Sequence, residues 1–338
     1  MRGINAGLLF VVTLICARGD VAEGIQAFHQ GRYADAQKIL SAFPNDADAR
    51  AFEAMALAAT GGCGKAEPEL SRQVASTTAS AVRRLAGIAL TECLIARKDY
   101  TAAMEKLSRL QRDYPKDADL LYETARANMR AWNEAVFQLF KAAPDSYRVN
   151  QISAEVYETQ GRYSEAIAEY RKAIEKNPAA INLHFRLGRA LLMESHEPTA
   201  FEEAQKAFEA ELKLNPSDAT AVYEIGQILT ARGRTADAAV EFQKAVDLRP
   251  DFPEALVTLG KAHMQAKRYT EAVPLLQRAI TLQPRMESAH YSLMMAYRNL
   301  GRNEDALREK ATLEQLQKPP EGEFTEFLKK LGEKPAKP

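Results

Sequence analysis

The amino-acid sequence predicts an all-α protein in which pairs of helices stack one after another as a solenoid. Between residues 219 and 250, small and apolar side chains recur at spacings of three and four on both sides of Gly233. This spacing is typical of two amphipathic helices joined by a tight turn. The pattern repeats after 34 residues, so that Gly260 follows Gly226 at the same place. A hydrophobic content of 46%, with 45 basic and 45 acidic residues, is typical of a folded chain with an extended core.

Each conspicuous position of the unit has a predicted packing role. Gly226 and Ala238 are expected at the crossing of the two helices, because the axes approach to about 8–10 Å only where side chains are small. Phe242 is expected to fill the space beside them, and Pro250 to end the second helix. A single pair cannot bury its own apolar face, so stability is expected to come from stacking on neighbouring pairs.

The 34-residue unit resembles the tetratricopeptide repeat, a helix–turn–helix family. The resemblance extends from residue 21 to about residue 318 and implies a right-handed superhelical solenoid of about nine helix pairs. It is most regular in residues 147–318, where the alanines that begin the second helices recur at 34 or 38 residues. These alanines are Ala166, Ala204, Ala238, Ala272 and Ala306.

Residues 18–146 form a more divergent set of repeats. Their predicted units cover residues 21–43, 47–78, 81–115 and 117–144. The unit at 117–144 is short and carries Trp132 where a turn glycine is expected, which predicts an altered bend. In the regular set, the unit that ends at Pro216 is lengthened to 38 residues, and the extra sequence is expected in its turn, around residues 194–199.

The two ends of the chain differ from the repeats. Residues 1–17 contain Arg2 followed by an apolar run at 6–16, which resembles a secretory signal peptide and predicts an exported protein, periplasmic or extracellular. An uncleaved membrane anchor formed by residues 6–16 is the main alternative, and lipidation of Cys16 is a weaker one. Residues 319–338 carry an apolar stripe at Phe324, Phe327, Leu328 and Leu331, which predicts a capping helix over the last repeat, with a partner-docking helix as the alternative.

Removal of the signal would leave two cysteines, Cys63 and Cys93. An even number in an exported chain makes them a disulfide candidate. Cys63 lies in a glycine-rich turn and Cys93 in the first helix of the next predicted unit. Two free cysteines, one of them buried, are the alternative.

The sequence shows no pattern that indicates an enzyme. It lacks a glycine-rich phosphate loop before a helix, a nucleophile elbow and a Cys-x-x-Cys pair. The five histidines are not spaced as metal ligands, so we expect no metal site. We also expect no cofactor and no small-molecule substrate. A net charge of zero disfavours a general nucleic-acid binder.

The resemblance also implies a binding groove, because the family directs certain places of each first helix toward a concave surface. Apolar and adaptable side chains at these places are suited to a peptide or protein partner. The alternative is that they only pad one first helix against the next. The candidate residues are Phe185, Arg189, Met193, Tyr223, Gln227, Val257, Lys261, Met264, Tyr291, Met295 and Arg298.

Some members of the family bind the acidic carboxyl terminus of chaperones through lysines and asparagines. The matching places in this chain are Gln151, Glu155, Arg186 and Glu224, so that role is not expected. The function predicted from the sequence is an exported, non-enzymatic scaffold for protein–protein interactions. A membrane-tethered factor for envelope assembly or structure is the alternative, and an active site assembled from repeats is a weaker one.

Overall fold

The computed structural model describes residues 20–75 and 80–317, and within these ranges the secondary structure is entirely helical. The helices are α1 (residues 20–29), α2 (Tyr33–Leu40), α3 (Ala47–Ala59), α4 (Cys63–Ala75), α5 (Ala81–Ala96), α6 (Tyr100–Asp113), α7 (Ala118–Ala142), α8 (Tyr147–Thr159), α9 (Tyr163–Lys176), α10 (Leu183–Glu194), α11 (Pro198–Leu214), α12 (Ala219–Ala231), α13 (Thr235–Leu248), α14 (Pro253–Gln265), α15 (Tyr269–Leu282), α16 (Glu287–Asn299) and α17 (Asn303–Leu316). The predicted signal peptide at 1–17 and capping helix at 319–338 lie outside the described residues.

The chain divides into two compact units, with the boundary between Ala142 and Ala143. In the first unit each helix from α2 onward packs on the next, as far as α7. In the second unit the same sequential packing extends from α8 to α17. Each unit has its own buried apolar cluster running along the stack. The predicted all-α architecture of stacked helix pairs is therefore confirmed within each unit.

The turn inside most pairs depends on a residue with a left-handed backbone. Gly233 has φ of +74°, and the amides of Gly233 and Arg234 bond back to the carbonyls of Thr230 and Leu229. This is the Schellman arrangement, which ends a helix and reverses the chain at low energy when the left-handed residue is glycine. The other turn glycines with positive φ are Gly31, Gly61, Gly161 and Gly301, and Lys98 and Lys267 have positive φ in two further turns.

The helix crossings confirm the predicted packing role of the small residues. A Cβ atom added at Gly226 would lie 2.5 Å from Cε1 of Phe242, closer than any real contact. Phe242 is itself buried, so its ring has no room to move away from an added Cβ atom. Gly260 meets Leu276 in the same way at 2.9 Å. A glycine on the first helix thus accommodates one large side chain of the second helix.

The prediction of a helix pair with an altered bend at residues 117–144 is wrong. Ala118–Ala142 is one continuous helix of 25 residues, and Trp132 lies inside it without a bend. A bulky side chain strongly disfavours the left-handed backbone that the turn would require. Residues 127–137 contain neither glycine nor proline, so the helix continues through the position of the turn. The described residues therefore form eight pairs and one long helix.

The lengthened unit also differs from the prediction. The link between α10 and α11 covers only residues 195–197, as short as the link at 232–234. The added sequence instead extends α11 to 17 residues, compared with 14 in α13. Pro198 occupies the first turn of α11, where a missing backbone N–H and a fixed φ are tolerated.

Cys63 and Cys93 form a disulfide between the first residue of α4 and the interior of α5. Their Cα atoms are 5.4 Å apart, and the bridge closes a separation of 30 residues. Because α4 and α5 belong to successive pairs, the bond joins two pairs of the first unit covalently.

Candidate partner-binding surface

Four first helices of the second unit, α10, α12, α14 and α16, carry the eleven residues predicted to bind a partner. We call the surface formed by these residues the first-helix surface. Its exposed members are Arg189, Met193, Lys261, Tyr291 and Arg298. Its half-buried members are Phe185, Tyr223, Gln227, Met264 and Met295. Val257 is buried.

Val257 cannot contact a partner, which corrects its inclusion in the site. The residue is only 3% exposed and belongs to the apolar core of the second unit. The reason is that α14 packs against α13, α15 and α16, and the short, branched side chain does not extend past these neighbours. At this place the padding alternative holds.

Two aromatic members of the surface are held by intramolecular packing. The ring of Phe185 lies 5.6 Å from that of Phe208, and the ring of Tyr223 lies 5.6 Å from that of Phe242. The Tyr223 hydroxyl also accepts a hydrogen bond of 2.7 Å from Nε2 of Gln227. These rings serve mainly the crossing between the two helices of their own pair.

Tyr291 is different, because the residue is 56% exposed. It lines a cleft of about 750 Å³ between α16 and α17, together with Met294, Arg298, Leu307 and Lys310. The cleft has a simple origin in the sequence. Met294 and Lys310 stand where the preceding pairs have a glycine and a large apolar residue. Without that interlocked pair, the last two helices leave space between them.

The exposed charges of the first-helix surface are positive. Arg189, Lys261 and Arg298 have no carboxylate within the 4.0 Å limit for an ion pair, among the residues that the structure describes. Glu224 lies near Arg189 but is half-buried, and burial raises the pKa of its carboxyl, with the charge of Arg189 opposing that rise. The accessible groups are therefore cations and apolar side chains.

Carboxylates at the α8 end of the same unit already have partners. Glu155 and Glu158 lie 3.5 and 3.6 Å from the guanidinium of Arg186. The hydroxyl of Tyr170 donates a hydrogen bond of 2.9 Å to Glu158. These acids are consequently less available to an incoming partner than the cations further along the stack.

Two clefts on the side of the second helices were not predicted from the sequence. Val240 is 65% exposed and borders both. One cleft, of about 660 Å³, lies between α13 and α14, and the other, of about 390 Å³, lies among α11, α12 and α13. An apolar residue at a solvent-facing helical position was the only signal of them in the sequence. In the described ranges, no three His, Cys, Asp or Glu side chains are arranged to hold a metal ion.

No helix among the described residues is both long and apolar enough to cross a bilayer.

Comparison with protein-family models gives matches along much of the chain. Residues 89–117, 154–194 and 200–253 match tetratricopeptide-repeat models. Residues 232–318 match a model named bacterial transcriptional activator domain, which covers helices α13 to α17. Within the described residues, each match includes at least parts of two successive helices.

Two curated proteins are similar to short parts of the chain. Superkiller complex protein 3 of Mus musculus is 30% identical over 96 residues, which is 28% of this chain and 6% of that protein. The probable UDP-N-acetylglucosamine–peptide N-acetylglucosaminyltransferase SPINDLY of Petunia hybrida is 28% identical over 102 residues, 30% of this chain and 10% of that protein. The chain thus spans a tenth or less of the curated relatives it matches.

Solved structures with a similar arrangement of helices include MamA and YrrB. MamA is 19% identical with a TM-score of 0.44, and the match covers 48% of this chain and 94% of MamA. YrrB, described as a TPR protein with an unusual peptide-binding site, is 20% identical with a TM-score of 0.45. That match covers 58% of this chain and 98% of YrrB.

Proposed function

Because this chain belongs to the tetratricopeptide-repeat family, we propose that it is an exported scaffold that binds a segment of a partner protein on its first-helix surface. The exposed members of that surface carry the proposal. Arg189, Lys261 and Arg298 provide accessible cations, and Tyr291 provides an exposed aromatic side chain beside a cleft. A segment that combines carboxylates with an apolar anchor fits this pattern best, because opposite charges guide association and a buried anchor supplies most of the affinity.

Binding to the partner is tested by selection from a random peptide library displayed on phage, followed by calorimetry with a selected peptide. The expected peptides contain acidic residues and an aromatic or large aliphatic residue. Reversing two charges, by Arg189→Glu with Lys261→Glu, should weaken the selected peptide about tenfold, which corresponds to ~1.4 kcal/mol. Lys244→Glu is the matched control, since Lys244 is an exposed cation on α13 and should leave the affinity unchanged.

Enrichment of neutral or basic peptides would contradict the proposal. Equal affinities of the charge-reversed and control proteins for the selected peptide would also contradict it.

The two tyrosines of the surface separate binding from padding. Tyr291→Ala should weaken the selected peptide by roughly 5- to 30-fold, the effect of losing a contact worth about 1–2 kcal/mol, without changing the melting temperature. Tyr223→Ala should lower the melting temperature, because Tyr223 packs on Phe242 and Phe252. The opposite result would contradict this assignment of the binding site. In that case Tyr291→Ala would lower the melting temperature, and Tyr223→Ala would weaken the peptide without changing it.

The capping helix that the sequence predicts in residues 319–338 is the alternative occupant to be tested for the Tyr291 cleft. Phe327→Glu in the full chain distinguishes the two occupants. If the tail fills the cleft, this variant should bind the selected peptide more tightly than the unaltered chain. If the cleft is open to partners, the affinity should stay the same.

Export is supported by two features of the first unit. The apolar run at residues 6–16 resembles a signal peptide, and the Cys63–Cys93 bond is of a kind that persists in oxidising compartments. Mass spectrometry of the intact protein from its native cell tests this. A mass lower by residues 1–17 is expected for the exported form. Retention of these residues, with recovery in the membrane fraction, would favour the alternative of a membrane-tethered assembly factor.

A further inference from the structure

Helix α7 exposes an apolar face on the side opposite its packing contacts. Leu120, Glu123 and Ala127 are buried against the preceding helices of the first unit. On the other side, Tyr122 is 64% exposed and Trp132 is 49% exposed. Leu121, Met129 and Phe140 are exposed on the same side. Helix α7 thus packs one face against its own unit and leaves an apolar face exposed.

The exposed residues follow a seven-residue repeat. Apolar side chains alternate at spacings of three and four along the whole of α7, as in the seam of a coiled coil. These positions are Tyr122, Ala125, Met129, Trp132, Val136 and Leu139, and all are exposed or partly exposed. We call this row the α7 stripe. Such a seam is complementary to another helix with the same spacing, and α7 itself has that spacing.

The exposed area is sufficient for a dimer interface. With about 150–250 Å² for each fully buried aromatic side chain, the stripe and its apolar neighbours leave on the order of 600–800 Å² uncovered. This exceeds the largest apolar patch of most monomers, roughly 300–600 Å². It approaches the ~800 Å² that each partner contributes to a standard interface.

We propose that the α7 stripe is covered by the α7 stripe of a second copy of this chain, with the two helices antiparallel. An axis of symmetry between residues 130 and 131 then pairs each side chain with one of a different type, so that no layer contains two tryptophans or two alanines. The facing pairs are Met129 with Trp132, Ala125 with Val136, and Tyr122 with Leu139. A parallel arrangement would place Ala125 against Ala125 and Trp132 against Trp132, which leaves a gap in one layer and overcrowds another.

The residues that border the stripe do not oppose this pairing. Charges beside a seam decide which helices associate, because like charges repel across it. The bordering positions carry Asn128, Asn133 and Ala135, which are uncharged, and Arg126. Arg126 is already paired with Glu92 at 3.0 Å and with Glu123 at 3.1 Å. The apolar row is therefore free of repulsion between two identical copies.

Trp132 allows a direct test, because it is the only tryptophan of the chain. The full chain should sediment at twice its mass of 37.5 kDa at micromolar concentration. Dilution should convert the dimer to monomer, and the emission of Trp132 should shift to longer wavelength over the same concentration range. Met129→Glu and Tyr122→Glu should each give a monomer with an unchanged circular dichroism spectrum. Val240→Glu, at an equally exposed apolar site in the second unit, should remain dimeric.

A chain that stays monomeric up to ~100 µM would overturn the proposal, since standard interfaces bind in the micromolar range or tighter. A dimer that survives both α7 substitutions would also overturn it. A monomer whose Trp132 emission moves to longer wavelength on Phe327→Glu would assign the stripe to residues 318–338 instead of a second copy.

The antiparallel register is tested by cysteine pairing. Chains with Met129→Cys, mixed with chains carrying Trp132→Cys, should form a disulfide between the two kinds of chain faster than either kind forms one alone. Preferential joining of Met129→Cys chains to one another would contradict this register.

Discussion

Helix α7 and the pair α12–α13 begin in the same way and then diverge. In each, an aspartate side chain accepts a hydrogen bond from a backbone amide of the first turn, Asp117 from Leu120 and Asp218 from Ala221. Fifteen residues after these aspartates the chain has Trp132 in one case and Gly233 in the other. At Gly233 the chain reverses, whereas at Trp132 the helix continues to Ala142.

The difference shows that the turn residue decides more than the local backbone. Where the chain reverses, the second helix returns and covers the first, as Phe242 covers Gly226. Where it does not reverse, no second helix is available, and the outward face of α7 remains exposed. The absence of a turn glycine at residue 132 is thus accompanied by an exposed apolar surface on α7.

The largest expected effect on stability comes from removing a buried aromatic side chain of the pair α12–α13, compared with removing an exposed one of α7. Phe242→Ala should lower the free energy of unfolding of the second unit by about 3–5 kcal/mol, because it leaves a cavity at the crossing with Gly226. Phe137→Ala on α7 should change the stability of the first unit by less than about 0.5 kcal/mol, since Phe137 is exposed and is not a member of the α7 stripe. Urea denaturation followed by circular dichroism measures both. Equal losses would mean that α7 is packed as the regular pairs are.

A smaller effect is expected from exchanging the turn residues. Gly233→Trp should cost about 1–2 kcal/mol, the penalty of a left-handed backbone for a residue with a side chain. Trp132→Gly should cost about 0.5 kcal/mol, because glycine is the less favourable of the two residues in a helix interior, and it should not restore the turn. Denaturation midpoints of the two variants test these values. An unchanged midpoint for Gly233→Trp would contradict the role assigned to glycine.

The smallest effect concerns Glu224, which belongs to the regular region only. Burial raises the pKa of its carboxyl above the ordinary value of 4.5. The folded chain therefore holds this proton more tightly than the unfolded chain, so the stabilisation it gives is present below pH 4.5 and is lost as pH rises through the raised pKa. Glu224→Gln should raise the melting temperature at pH 7. The difference from the unaltered chain should shrink as pH falls toward 4.5, and a difference independent of pH would contradict this.

The repeat architecture could be predicted because its packing depends on residue size at fixed spacing. The interlocked pair Gly226 and Phe242 is visible in the sequence as a small residue followed by a large one sixteen positions later. The spacing of small and large residues along the chain determines which helices pack together, and this packing defines the repeat fold. The continuous helix at Ala118–Ala142 could not be predicted in this way. Trp132 indicated that a turn was altered, but a missing turn residue does not distinguish a changed bend from a continuous helix.

The candidate site was only partly predictable for a related reason. The position of a residue within a first helix predicts which way its side chain points. It does not predict how far neighbouring side chains bury it. Tyr291 and Val257 occupy equivalent places, yet Tyr291 is exposed beside an open cleft and Val257 is enclosed. The cleft depends on Met294 and Lys310, whose combined effect on the space between α16 and α17 appears only when the helices are assembled.

Amide hydrogen exchange at corresponding positions tests the central claim, that loss of the turn residue makes residues 118–142 one helix. In α13 the amides of residues 235–237 belong to the first turn of a helix and lack partners within it, so they should exchange rapidly. In α7 the amides of residues 134–136, at the same distance from the capping aspartate, lie inside a continuous helix and should exchange slowly. Exchange at residues 134–136 as rapid as at 235–237 would show that a turn interrupts α7, and would contradict the account.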